Sequence, residues 1–285
     1  MINDGEVNLV YHITHGKQII KLPNNSRIDL LVRGGGNPVL WLHSGFRGRV
    51  GIENLVSSIE RKLKQSDKEW LHLIPNLPGF GESSQTISKN NNPYELTANI
   101  EELVNLLDYP RIDVIGFSLG ANIASILVNS IPKRFRRVVL LGTAIEGRNL
   151  EVYRQLLNLY YKRDWDGIVN EIAERLVGSR NRSQYIKMMP LVKKQVSSES
   201  FSRDLVRILS SGVRHDIFEE LKKMSHTALM ISGTDDPFAP TPTRAQVLER
   251  KNNIKFILID GIGHNEIVFP RQIDLSDQII EFLEG

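Results

Sequence analysis

An α/β fold is predicted, with a mainly parallel central sheet covered by helices on both faces and a helical insertion. Three observations predict it. Apolar strand-like runs alternate with helical stripes along most of the chain, the pattern that parallel strands and their crossovers produce. The alternation stops between about residues 145 and 215, where the pattern is helical only. A serine, an acidic pair and a histidine each follow a predicted strand, at the edge where open α/β sheets collect their sites.

In chain order, strands are expected near 7–13, 18–22, 27–33, 38–43, 70–75, 111–116, 137–142, 227–232 and 254–259, the first of them antiparallel. Between them, Ile52, Leu55, Val56, Ile59 and Leu63 recur at helical spacing, as do Leu96, Ile100, Leu103, Val104 and Leu107. The second helix has Asn92 as its N-cap, Pro93 at its first position and Pro110 just beyond its end. The stretch from Ala121 to Ser130 is apolar on most sides, as suits a helix packed centrally on a sheet. Further helices are expected over 150–161, 166–177 and 201–211. Residues 1–144 and 216–285 then form a core, and residues 145–215 an inserted helical unit.

Composition narrows the function classes. With 285 residues, 41% hydrophobic and 24% charged, the chain can bury a sizeable core as one α/β domain. It has no cysteine, which excludes disulfides, a thiolate nucleophile and Cys-ligated metal. The first residues lack the basic and apolar regions of a signal peptide, and no apolar run is long enough to span a membrane, so a cytoplasmic location is expected. From Arg175 to Arg214, nine basic residues stand against two acidic ones, an excess of seven in a chain of net charge +3. Such a segment is either a solvated helical face or a guide for an anionic or carrier-linked substrate. Nucleic acid is not an expected partner, because the segment has few aromatics and no binding motif.

The sharpest chemical signal is a strand, Ile112 to Ile115, that runs into Gly116-Phe117-Ser118-Leu119-Gly120 and then a helix. Roughly 0.1 matches to Gly-x-Ser-x-Gly are expected by chance in a chain this long, taking Gly and Ser near 7% each. The strand-turn-helix setting is more specific, since it pushes the serine hydroxyl out of the sheet edge. A serine so placed is followed along the chain by an acid and then a histidine. The apolar run Thr227 to Ser232 ends in Gly233-Thr234-Asp235-Asp236-Pro237, and of the seven histidines only His264 lies beyond it. His264 itself follows a strand and the turn Gly261-Ile262-Gly263.

With these pieces, and with His43-Ser44-Gly45-Phe46, Asn76-Leu-Pro-Gly-Phe-Gly-Glu-Ser83 and Gly233-x-x-Asp236-x-x-x-Pro240, the chain resembles the α/β-hydrolase superfamily over nearly its whole length. The resemblance implies the α/β-hydrolase fold with a helical cap formed by the insertion. It implies Ser118 as nucleophile, His264 as base, and Asp236 rather than Asp235 as the orienting acid, by its spacing from Gly233 and Pro240. It implies an oxyanion hole of backbone amides, from Leu119 and from Gly45 or Phe46, with His43 ordering the loop. Ser44 stands where the family usually has glycine, and Asn76 where it usually has aspartate. Arg47 is close enough in sequence to meet a substrate carboxylate or to remain on the surface.

The expected activity is hydrolysis of a carboxylic ester through an acyl-enzyme, without metal or cofactor. The same machinery on a carrier-linked thioester, a lactone or a carbon–carbon bond beside a ketone is the alternative. A serine at position 118 disfavours dehalogenase and epoxide-hydrolase chemistry, which use an aspartate there. Retention of both Ser118 and His264 disfavours a non-hydrolytic ligand-binding protein. His12 and His15, three residues apart with no acidic partner, do not read as metal ligands.

Overall fold

Alternate residues along the central strands are apolar on both faces, so the sheet has to be covered twice. In the computed structural model, which describes residues 13–84, 93–143, 145, 150–199, 201, 203, 206, 217–238, 242–269 and 273–285, it is. The strands are β1 (Gly16–Lys21), β2 (Arg27–Arg33), β3 (Asn37–Leu42), β4 (Trp70–Pro75), β5 (Ile112–Phe117), β6 (Phe135–Leu141), β7 (Thr227–Gly233) and β8 (Ile254–Ile259). They form one sheet in the order β1-β2-β4-β3-β5-β6-β7-β8. The β1–β2 and β2–β4 pairs are antiparallel, and every later pair is parallel. Of the strand expected at 7–13, residues 7–12 lie outside the described residues and Ile13 is not in a strand.

The two helical layers follow the period of the strands. Leu40, Leu42, Val114 and Leu140 face helices α2 (Pro93–Leu106) and α3 (Leu119–Ser130). Val39, Trp41, Ile115 and Leu141 face α1 (Glu53–Gln65) and a C-terminal helix at Ser276–Glu284. Helix α2 begins at Pro93, whose missing N–H costs nothing at a first helical position; its expected cap, Asn92, lies outside the described residues. Helix α3 is buried at every position from Leu119 to Val128, which explains its lack of a polar face.

Between β6 and β7 stand α4 (Leu150–Tyr161), α5 (Trp165–Arg175) and α6 (Arg182–Val196). They bury a third apolar cluster, which includes Leu156, Ile168 and Ile172 and takes in Phe238 and Phe46 from loops at the sheet's carboxyl edge. Helix α6 runs through Pro190, which the pattern alone would have read as a break. Helix α5 stops at Arg175, short of the expected 177, because the chain turns at Leu176 to lie along the loop before His264. The helix expected at 201–211 lies largely outside the described residues. No helix among the described residues is long and apolar enough to cross a membrane.

Inside the sheet, the Trp41 indole N–H donates to His72 Nδ1 at 3.0 Å, so that nitrogen carries no proton. Burial, helped by the nearby charge of Arg33, pushes the His72 pKa down to about 3. The unfolded chain therefore binds a proton near the ordinary value of about 6.5 that the folded chain refuses until far lower pH. The stability this group contributes is complete above about pH 6.5 and is lost as pH falls toward the folded value. His72→Gln should make the fall in unfolding free energy between about pH 5.5 and 4 shallower by about 1.4 kcal/mol per pH unit. Urea unfolding over that range tests it, and an unchanged slope would contradict a buried neutral imidazole.

Candidate active site

The site is assembled at the carboxyl ends of β5, β7 and β8. Ser118 occupies the single residue between β5 and α3, with φ 54° and ψ −116°. Such a conformation in a non-glycine residue costs on the order of 1–3 kcal/mol and survives only where the surroundings enforce it. Here the Ser118 amide donates to the Leu141 carbonyl at 2.9 Å, and its own carbonyl accepts from Ala121 and Asn122 in the first turn of α3. A β-carbon on Gly120 would run into the Leu42 carbonyl and come within 2.7 Å of the His43 oxygen. One on Gly116 would lie 2.6 Å from Ala121. The paired glycines are thus required by close backbone approach on both sides of the serine.

The structure brings Ser118, His264 and Asp236 into one hydrogen-bonded line. His264 Nδ1 is 2.9 Å from Asp236 Oδ2, and His264 Nε2 is 2.9 Å from Ser118 Oγ. An ionised Asp236 can only accept, so Nδ1 donates and Nε2 keeps its lone pair for the serine hydroxyl. The second carboxylate oxygen of Asp236 accepts from the Phe238 amide at 2.8 Å, which fixes the plane of the group. Ser118, Asp236 and His264 are 8%, 5% and 4% exposed. The imidazole lies face-on to Phe117 and edge-on to Phe238, with centroids 5.3 and 4.8 Å away. Asp235 points elsewhere: its Oδ2 accepts from the Ser179 amide, in the turn after α5, at 2.7 Å.

The loop after β3 is tied down by buried polar groups. His43 accepts from the Leu77 amide through Nε2 at 2.9 Å and donates from Nδ1 to the Ser44 carbonyl at 2.6 Å. Burial pushes its pKa down to about 4, and its ring packs edge-on to Phe80. It belongs to the loop's framework. The Arg49 amide donates to Asn76 Oδ1 at 2.9 Å, and Asn76 Nδ2 donates to Asp29 Oδ2 at 2.8 Å. Arg49 Nη1 donates to the other Asp29 oxygen at 2.7 Å. Burial pushes the Asp29 pKa up, but the bonds from Arg49, Asn76 and the Glu82 amide outweigh it and hold the carboxyl below its ordinary value. Arg47 is exposed, in a left-handed turn with φ 61°.

Three cations of the α5–α6 region are paired within that region. Arg175 pairs with Glu171, and Lys193 with Asp166, on the helices' own surfaces. Arg182 donates to the carbonyls of Ala173 and Glu174 that end α5. Arg207 and Arg214 lie outside the described residues. So does His12, while His15 meets the Gly34 carbonyl at 2.7 Å. Among the described residues, no three His, Asp or Glu side chains are grouped to hold a metal ion.

Beside His264 lies a buried acid that the sequence did not single out. Glu266, 1% exposed, accepts from the amides of Gly263 and Gly178. Its cap partner is 88 residues away in the chain, and no local pattern announces such a bond.

Comparison with known proteins agrees with this architecture. The model of the alpha/beta hydrolase fold family matches residues 37–269. A 2-hydroxy-6-oxononadienedioate/2-hydroxy-6-oxononatrienedioate hydrolase of Cupriavidus pinatubonensis is 21% identical over 238 residues, 81% of each chain. An esterase from Exiguobacterium antarcticum superposes with a TM-score of 0.71 at 15% identity, covering 95% of this chain and 100% of the other. The enol-lactonase from Burkholderia xenovorans LB400 gives a TM-score of 0.73 at 16% identity, covering 94% and 100%. The chain belongs to the alpha/beta hydrolase fold family.

Proposed function

We propose that this chain is a serine hydrolase that cleaves a carboxylic ester through an acyl-enzyme. The observation that carries the reading is the unbroken line from Asp236 through His264 to Ser118, with 2.9 Å at both links. A serine hydroxyl becomes a useful nucleophile when an imidazole takes its proton as the bond to the carbonyl carbon forms. His264 Nε2 is placed to do so and then to protonate the departing alkoxide as the ester C–O bond breaks. A water molecule, deprotonated by the same nitrogen, then releases the acid and restores Ser118. Asp236 holds the imidazole in the tautomer this requires and stabilises its cationic form.

Two backbone amides would hold the oxyanion. Leu119 supplies one at the start of α3, where the helix dipole favours negative charge. Of the two candidates after Ser44, the Phe46 amide lies 3.3 Å from Ser44 Oγ. The Gly45 amide has no acceptor among the described residues, and Gly45 is the proposed second donor.

A second reading is favoured by the curated relative named for a 2-hydroxy-6-oxo dienedioate: hydrolysis of a carbon–carbon bond beside a ketone. Its substrate is anionic, whereas the rings against His264 here are those of Phe117 and Phe238, and Arg175 and Lys193 of the cap are already paired with Glu171 and Asp166. These features support a neutral ester. Turnover of short-chain nitrophenyl esters and of a 2-hydroxy-6-oxo-dienoate should be compared. Faster turnover of the dienoate would overturn the ester reading.

Ser118→Ala should lower ester turnover by roughly 10⁴-fold or more without changing the fold, since only the hydroxyl is lost. Asp236→Asn should cost up to about 10⁴-fold, and Asp235→Asn far less. The reverse ranking would displace Asp236 from its role. If the basic segment is only a solvated surface, kcat/KM for an anionic ester and for a neutral one of equal length should show the same weak dependence on added salt. A steep fall confined to the anionic ester would restore the basic segment as a guide.

A further inference from the structure

A carboxylate taken out of water has to be met by donors, and the donors reveal what it holds together. Those of Glu266 are backbone amides from two segments far apart in the chain. Gly263, immediately before His264, donates to Oε2 at 2.6 Å. Gly178, in the turn after α5, donates to Oε1 at 2.9 Å and Oε2 at 3.0 Å.

The same two segments are joined on either side of this carboxylate. The Arg180 amide donates to the Gly261 carbonyl at 3.1 Å, and the Asn265 amide to the Leu176 carbonyl at 3.2 Å. One residue before Asp236, the Asp235 carboxylate accepts from Ser179 of that turn. No side chain fits between the two backbones: a β-carbon on Gly178 would meet Gly263 N at 2.5 Å and Ile262 Cα at 2.7 Å. The turn at 176–180 is therefore bonded to the residue before His264 through Glu266, to the residue after it, and to the neighbour of Asp236.

We propose that Glu266 is a positioning residue that mounts the His264 turn on the cap, so that the cap holds the catalytic base in place as well as covering the site. The proposal rests on the serine-hydrolase reading above. Among the described residues, the Glu266 carboxylate bonds only to backbone amides, so its loss acts on the position of His264 and through it on the proton transfer from Ser118. Substrate contacts are left as they were. A small displacement of a reacting group costs rate far more than binding.

The test is the time course of covalent labelling by a fluorophosphonate. In that reaction the Ser118 Oγ–phosphorus bond forms, fluoride leaves and His264 takes the serine proton. Two quantities are read: the fraction of protein labelled at the end, which counts folded sites, and the rate constant, which reports the base. Glu266→Gln keeps the side-chain volume and removes the charge. It should slow labelling by about a hundredfold while the labelled fraction stays that of the wild type. On a nitrophenyl ester, kcat should fall by the same factor while KM holds within about twofold.

Gly178→Ala pushes the cap turn away with the carboxylate intact. It should produce the same rate loss, and the double variant should be no slower than either single one. If Glu266→Gln does not fold, Gly178→Ala decides alone. Labelling of a folded variant at the wild-type rate, whether complete or to a reduced fraction, would reduce Glu266 to a folding role and overturn the proposal. Failure of the wild type itself to label would overturn the serine-hydrolase reading, and the proposal with it.

Discussion

Gly120 seats the first turn of α3 against the carbonyls that end β3, a contact no residue with a β-carbon could make. Ser118 depends on it for its left-handed backbone, and the Leu119 amide depends on it for a place beside the loop that carries Gly45. The strain at Ser118 is offset by the packing of α3, buried on all sides between the sheet and α2. Ser118 and the Leu119 amide, the proposed nucleophile and oxyanion donor, are thereby held by backbone contacts. Electrostatic stabilisation of a transition state requires such fixed dipoles, which need not reorganise as charge develops.

The loops around that elbow bury apolar residues such as Phe80 and Phe238 and are tied to one another by buried polar groups. His43 joins the turn after β3 to Leu77; Asp29 joins it to Asn76 and Glu82 through Arg49; Glu266 joins the His264 turn to the cap. In each case the buried group meets amide donors or a cation, so the desolvation cost is met by satisfied bonds. Asn76 in turn meets the Asp29 carboxylate from β2, 2.8 Å away.

The core was legible in the sequence because its signals are local and periodic. The stripes of α1 and α2 and the strands that flank Ser118, Asp235 and His264 were read from residues a few positions apart. The Ser118–His264–Asp236 line was legible for a related reason: three sheet strands end at one edge, so residues that follow them meet there. What the sequence hid depends on contacts with no local pattern. Helix α6 runs through Pro190 because packing within the cap outweighs the lost backbone bond. The tie between Glu266 and Gly178 joins residues 88 positions apart. The basic excess of the cap was plain, but the pairing of Arg175 with Glu171 and of Lys193 with Asp166 was not, since charge counts do not say which acids the cations meet.

In the proposed reaction, Ser118 Oγ is the atom to which the acyl group is transferred. The most direct measurement of that transfer is the mass of the peptide that contains Ser118 after brief reaction with a slowly deacylated ester and acid quench. This peptide should gain the mass of the acyl group at Ser118, and the adduct should disappear at the rate of product release. Steady ester turnover with no adduct at Ser118, or with an adduct on another residue, would contradict it.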